Sequence, residues 1–340
     1  MKYRIVTHGN CTDGYSSAFV MKRFFNNFFG TALSKKQIQD IPVLGIQPHV
    51  IQQKKFILTK KDIVVDLPCP QQPVLFWCDH HLTSEPTGEL PENYHWKITP
   101  SCAGYLVDLA LEKGASSNRE LLDFKRVIDI MDSAEYTRKE LKACFYKQNN
   151  YRHLSPLQKM HMIGAMFNTR DGILNDEIFK TLLASEMAET PLSSKALWQL
   201  NPLMYHKAQL EGFEWWRDNV DTYLRYNRES RCVIQDDRKA KMNIGNFDRF
   251  YFCTKYPQTS YNLSIRITPD KKARLGLGSN IFNKERCLVD IGSLCEELGK
   301  RFGGSGGGHY YVGGAVIGVE KCDEAIEFIL EKFKEQKLES

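Results

Sequence analysis

Short apolar runs that close on an acid or a histidine recur through the first half of the chain. Tyr3–Thr7 (YRIVT) is β-branched and reads as a buried strand, running into His8-Gly9-Asn10-Cys11-Thr12-Asp13-Gly14. A helix is predicted from about Ser16 to Phe29, with Ser16 or Ser17 as its N-cap. Asp62-Ile63-Val64-Val65-Asp66 reads as a second strand ending in an acid. Pro73–Cys78 reads as a third, followed by Asp79-His80-His81. Further helices are predicted over Ala103–Lys113 and Glu120–Asp132.

Alternating strands and helices argue for an α/β domain with a mostly parallel sheet. Such sheets bind ligands outside the C-terminal ends of their strands, and His8, Asp13, Asp66, Asp79, His80 and His81 all fall at or just after such ends. From about Tyr151 to Asn227 the pattern is mainly helical, and Glu211–Arg228 reads as one long charged and aromatic helix. Strand-like runs follow at Arg231–Gln235, Arg249–Thr254 and Tyr261–Thr268. A helix over Asp290–Phe302 then leads through a glycine run, Gly303–Gly308, and His309 to an apolar strand, Tyr310–Val319. The division expected is a first domain over 1–185, a helical connector over 186–228 and a smaller second α/β domain over 229–340, with a cleft between the domains.

Composition narrows the class. Of 340 residues, 42% are hydrophobic, enough for cores in both domains. The net charge of +5 is too small to predict nucleic-acid binding by itself, but it allows an anionic ligand in a local basic pocket. The 10 cysteines form no CxxC pair, which reads as free thiols in a reducing compartment. No signal segment and no apolar run of membrane-spanning length is visible, so the cytoplasm is the expected location.

A divalent metal that activates water needs carboxylates and neutral imidazoles converging around an open position. Neighbouring parallel strands lie about 5 Å apart, so their end loops can pool such ligands. Any one of these acids, taken alone, could as well be a surface residue or a helix cap. The set, all at predicted strand ends, points to a metal site.

The stretch His8–Ala18 (HGNCTDGYSSA) resembles the first motif of the DHH phosphoesterases, Val65-Asp66 the second and Cys78-Asp79-His80-His81 the third. Asp129-Ile130-Met131-Asp132 resembles the fourth, and the Gly303–His309 run with Gly313-Gly314-Ala315 is similar to the glycine-rich signature of the associated DHHA1 substrate-binding domain. This order of motifs covers most of the chain. The resemblance implies that His8 and Asp13 hold one metal, that Asp66 bridges two, and that His80 with Asp129 or Asp132 holds the second. Asp79 would orient a ligand by a hydrogen bond and His81 would face the substrate phosphate. The ion implied is manganese, with magnesium as the alternative, in one or two copies. One departure stands out. The acids of the more familiar first motif fall where this chain has Thr12 and Gly14, so the turn offers the single carboxylate Asp13, with Asn10 able to add an amide oxygen.

The glycine run can approach an anion closely, so Gly306, Gly307 and Gly308 are expected to cradle phosphate and His309 to contact it. Arg266 sits in a strand of alternating character, similar to the strand in which the family places a substrate-binding arginine, and the resemblance implies that role for it. The expected activity is metal-dependent hydrolysis of phosphodiester or phosphomonoester bonds in short single-stranded oligonucleotides or small nucleotides, by a protein that could form a homodimer. Two rivals are a nucleotide-binding sensor that has lost turnover and an exopolyphosphatase-like enzyme.

Overall fold

The protein is described by a computed structural model that covers residues 3–9, 11–145, 154–167, 215–239, 250–268 and 270–335. The chain divides into two compact units, one formed by Met1–Tyr136 with Lys147–Leu210, the other by Thr137–Tyr146 with Glu211–Ser340.

The first unit is built on a five-stranded sheet in the order β2-β1-β3-β4-β5. Its strands are β1 (Arg4–His8), β2 (Val43–Ile46), β3 (Asp62–Val65), β4 (Phe76–Asp79) and β5 (Tyr94–Trp96), and every pairing is parallel. Between and after them run α1 (Thr12–Arg23), α2 (Phe25–Phe29), α3 (Lys35–Gln39), α4 (Pro48–Gln52), α5 (Cys102–Glu112), α6 (Arg119–Ser133) and α8 (Pro156–Phe167). Strands buried on both faces carry continuous apolar runs, and β3 and β4 are buried at every position. One face packs Val6, Val64 and Trp77 into a cluster with Ile51, Leu58, Leu67 and Val74. The parallel order places the ends of β1, β3 and β4 side by side, so His8, Asp66 and Asp79 emerge on one rim.

The structure moves the first helix. α1 begins at Thr12, not Ser16, with Cys11 as an extended N-cap (φ −121°, ψ 131°) whose side chain makes no capping bond. Asp13 therefore lies in the first helical turn rather than in the loop before it. The helix breaks at Phe24, and α2 closes on Gly30 in the left-handed region (φ 58°).

The second unit holds a six-stranded sheet in the order β10-β11-β9-β8-β7-β6. Its strands are β6 (Leu224–Asn227), β7 (Cys232–Asp236), β8 (Tyr261–Ile267), β9 (Lys272–Ser279), β10 (Ser305–His309) and β11 (Val312–Gly318). Only β7 with β8 is parallel. The alternation expected of β8 is present: Tyr261, Leu263 and Ile265 are buried, while Asn262, Ser264 and Arg266 are partly exposed. The buried set packs with Leu275, Leu277, Ala315 and Ile317 against α10 (Ile291–Arg301) and α11 (Cys322–Glu335). Two shorter helices, α7 (Arg138–Cys144) and α9 (Tyr251–Lys255), complete this unit. In it the Arg138 guanidinium lies over the Phe282 ring, 4.6 Å from its centroid, and Phe145 meets Tyr251 edge-on.

Three expectations are corrected here. Of the strand expected at Arg249–Thr254, Arg249 lies outside the described residues, and Tyr251–Lys255 forms the helix α9. The connector helix expected to reach Arg228 gives way by residue 220 to a short 3₁₀ turn and then to β6. The glycine run is not a loop: Ser305–His309 is an edge strand paired with β11. Its glycines serve close packing, since a Cβ on Gly306 would meet the Cys295 carbonyl oxygen at 1.9 Å. Residues 186–214 of the expected connector lie outside the described residues, as do residues 168–185 of the expected first domain and Asn10. Among the described residues no helix is long and apolar enough to cross a membrane.

Candidate metal centre

Asp66 is the hub of the rim. It follows β3 with a positive φ of 54°, a left-handed conformation that costs a non-glycine residue of order 1–3 kcal/mol and persists only where its surroundings enforce it. The enforcement comes from its backbone N–H, which bonds the Cys78 carbonyl at 3.0 Å. The carboxylate is 1% exposed, and neither oxygen accepts a hydrogen bond. Oδ2 lies 3.6 Å from His8 Nδ1, and Oδ1 lies 3.7 Å from both His80 Nε2 and His81 Nδ1. The two oxygens thus address different partners.

His80 brings a second group together. Its Nε2 is 3.5 Å from Asp13 Oδ2 and 3.4 Å from Asp132 Oδ2. The ring is set by Nδ1, which lies 2.9 Å from the Thr99 carbonyl oxygen. A carbonyl can only accept, so Nδ1 carries the proton and Nε2 offers its lone pair. Asp13 is fixed by the start of α5, accepting from the Cys102 N–H at 2.7 Å and the Ala103 N–H at 2.9 Å. Its carboxyl is pushed well above the usual range, first by burial and then by the charges of Asp66 and Asp132, against those two amide bonds.

Asp79, fully buried, holds His81. Its Oδ1 takes the His81 Nδ1 at 2.8 Å and the His80 N–H at 2.8 Å. Burial opposes a charge on His81, but the bond to Asp79 and the charges of Asp66, Asp79 and Asp132 prevail and raise its pKa to about 9.

The sequence left Asp129 and Asp132 as alternatives, and geometry separates them. Asp132 faces His80, whereas Asp129 accepts from Ser101 Oγ at 2.6 Å and from Lys125 Nζ at 2.9 Å. The expected partnership of His8 with Asp13 is also regrouped. Asp13 converges with His80 and Asp132, and His8 with Cys11 and Asp66, the candidate ligand atoms within each group lying within 4.8 Å of one another. Cys11, missed in the sequence, sits in the same turn as His8 and Asp13; its thiol is pushed up by burial and by the charges of Asp66, Asp132 and Asp13. Thr99, Cys102 and Ala103 act through backbone atoms and left no side-chain signal. Gly14 has a defined reason: a Cβ there would meet the His8 carbonyl oxygen at 2.4 Å and Asp66 Oδ2 at 3.1 Å, so α1 could not approach the hub.

The donor set fits divalent cations. Separations of 3.4–3.7 Å around His80 Nε2 and Asp66 are too long for hydrogen bonds. The shorter ones, 3.4 Å and 3.5 Å, fall at the upper end of the edges of a coordination polyhedron, which are about 3.0–3.5 Å for metal–ligand bonds of roughly 2.1 Å, and the 3.7 Å pairs lie a little beyond it. A buried carboxylate without a donor, beside further acids, is costly unless a cation joins them.

In the second unit Arg266 pairs in register with Arg274 and shares its face with Ser264 and Asn262. On the neighbouring strands that face is paved by Gly276, Gly278 and Gly314. Asp237 is pushed up to about 6 by burial, against the pull of the Gln235 bond and the Arg266 charge. His309 is exposed at the end of β10, opposite Val312.

No family model matches the chain, and no curated protein matches it. Solved structures do, and what they share with this chain is the fold. A pGpG-specific phosphodiesterase, PggH of Vibrio cholerae, has a TM-score of 0.69 at 19% identity, covering 98% of this chain and 99% of its own. CDC45 of Entamoeba histolytica matches at a TM-score of 0.58 and 8% identity, covering 98% and 95%. RecJ of Thermus thermophilus, solved with Mn²⁺, matches at 0.54 and 13% identity, covering 97% of this chain and 52% of its own.

Proposed function

We propose that the protein is a metal-dependent phosphoesterase of the DHH superfamily that hydrolyses short oligonucleotides or small nucleotides in the cytoplasm. The observation that carries this reading is the Asp66 carboxylate, buried without a hydrogen-bond donor between His8 on one side and His80 and His81 on the other. His8 and Asp66 would hold one cation, and Asp13, His80 and Asp132, with Asp66 beside them, would hold another. Manganese suits this mixture of carboxylate and imidazole, and the manganese-bound RecJ supports that choice.

Bound metal would supply activation of water near neutral pH and neutralisation of phosphate charge. The protein's own groups do the rest. Thr99 keeps the His80 lone pair aimed at the centre. Asp79 keeps His81 protonated and turned to the substrate, where its N–H stabilises charge gathering on the phosphate oxygens. Arg266 and His309 bind the substrate's phosphate and its nucleoside portion. The flat glycine-paved face around Ser264 and Asn262 suits a planar base.

The likeness to a pGpG-specific phosphodiesterase puts a linear dinucleotide first in the test. Purified protein is given pGpG, a cyclic dinucleotide, a longer single strand and polyphosphate, each with manganese and with chelator, and products are separated by chromatography. Manganese-dependent cleavage of a dinucleotide to mononucleotides is the expected result. Nucleotide binding without turnover would favour the sensor reading, for which the single carboxylate of the first motif speaks. Cleavage that survives chelator would overturn the metal-centred reading.

A further inference from the structure

The first motif lacks the acids that the fold's familiar pattern would place on the His8 turn, and the group that stands beside His8 is a thiol. The Cys11 Sγ, a His8 ring nitrogen and an Asp66 carboxylate oxygen lie within 4.8 Å of one another. Cys11 is half-buried and disulfide-free, and it spends none of its side chain on capping α1 although it holds the cap position. Independently of the thiol, Asp66 Oδ2 is buried, accepts no hydrogen bond and lies 3.6 Å from His8 Nδ1. The composition of this group, one sulfur, one imidazole and one carboxylate, differs from its neighbour, where Asp13, His80 and Asp132 offer only oxygen and nitrogen.

We propose that Cys11 is a thiolate ligand of the metal centre, forming with His8 and Asp66 a position that takes a softer divalent cation than the Asp13–His80–Asp132 position beside it. The inference rests on the metal-centre reading above. Ligation forms one sulfur–metal bond and releases the thiol proton to solvent, with no change of oxidation state. Sulfur and imidazole select zinc, iron or cobalt, whereas carboxylate-rich sites suit manganese and magnesium. The two positions would therefore differ in metal preference although they share Asp66. Loss of an outer-shell partner already costs roughly tenfold in metal affinity, so loss of a direct ligand costs at least that.

Serine is the informative replacement, because it is a favoured N-cap and keeps α1 supported. The full-length protein, stripped with chelator and kept reduced, is titrated with Co²⁺ while its near-ultraviolet absorption is followed and bound cobalt is counted by elemental analysis. The wild type is expected to show a sulfur-to-cobalt charge-transfer band that Cys11→Ser lacks. Cadmium affinity should fall about tenfold or more in that variant, while manganese affinity at the neighbouring position is largely kept. Circular dichroism checks that the variant is folded, and Cys11→Ala serves as a second variant. Cobalt bound without a sulfur band, or a band that survives both substitutions, overturns the role of Cys11 and leaves the metal centre standing. Failure of the wild type to bind cobalt, cadmium or manganese overturns the centre itself.

Discussion

At the scale of single residues, the position of Asp66 combines a strained backbone with a buried charge that has no donor. Asp66→Asn keeps the size and the tolerance for positive φ but removes the charge. Its metal content should fall sharply. In chelator, however, it should melt above the wild type, because a buried carboxylate that accepts no hydrogen bond costs about 1–3 kcal/mol or more. Elemental analysis and calorimetry read the two effects. A variant that keeps its metal, or melts lower in chelator, would remove Asp66 from the hub. The two adjacent histidines give a second expectation. A strand would turn them to opposite sides, but β4 ends at Asp79, and the rings approach to 4.3 Å between centroids, with both facing Asp66. Their difference comes instead from their hydrogen bonds: His80 spends Nδ1 on the Thr99 carbonyl and keeps Nε2 for Asp66, whereas the His81 nitrogen nearest Asp66, Nδ1, is itself held by Asp79. His80→Ala should lower bound metal, whereas His81→Ala should keep metal and lose hydrolysis of a dinucleotide. Equal metal loss in both would show that the two share one role.

At the scale of elements, Gly306→Ala is the sharpest test of why β10 contains so much glycine. A methyl there runs into the Cys295 backbone on α10, so strand and helix must separate, at a cost of about 1–3 kcal/mol. The midpoint of urea unfolding should fall, with metal content unchanged. An unchanged midpoint would mean that the strand is free to shift. The same element shows where sequence reading stops. A glycine run has no strand propensity, and only a helix packed within backbone contact explains it. Tyr251–Lys255 was misread for the opposite reason, since tyrosine, phenylalanine and threonine favour strands in isolation. What was legible was chemistry at the ends of apolar runs. β1, β3 and β4 are short, buried and parallel, so each brings its acid or histidine to one rim, and the candidates His8, Asp66, Asp79, His80 and His81 could be picked from the pattern. Asp129 and Asp132 could not be separated, because residues three apart share a helix face. Ser101, far away in sequence, decides between them.

On the scale of the molecule, the residues proposed to hold metal and those proposed to bind substrate belong to different units, so their effects should separate by mutation. Arg266→Ala should leave metal content intact and impair a dinucleotide more than a small aryl phosphate ester. A lost charge-assisted contact is worth about 1.5–3 kcal/mol, or roughly ten- to a hundredfold in binding. The ratio of kcat/KM on the two substrates, wild type against variant, is the measurement. Equal loss on both would assign Arg266 to the reaction centre or to the fold, and no loss on either would remove it from substrate binding.

The assignment of α7 to the second unit has a consequence for the chain as a covalent object. Thr137–Tyr146 lies between stretches of sequence that belong to the first unit, so the boundary is crossed more than once. A single cut by a protease anywhere between Tyr146 and Glu211 would therefore not free the second unit. One end of the break would still carry α7, anchored by Arg138 over Phe282, its contact with Asn283, and Phe145 against Tyr251. The nicked protein should migrate as two fragments under denaturing conditions yet elute as one species under native ones.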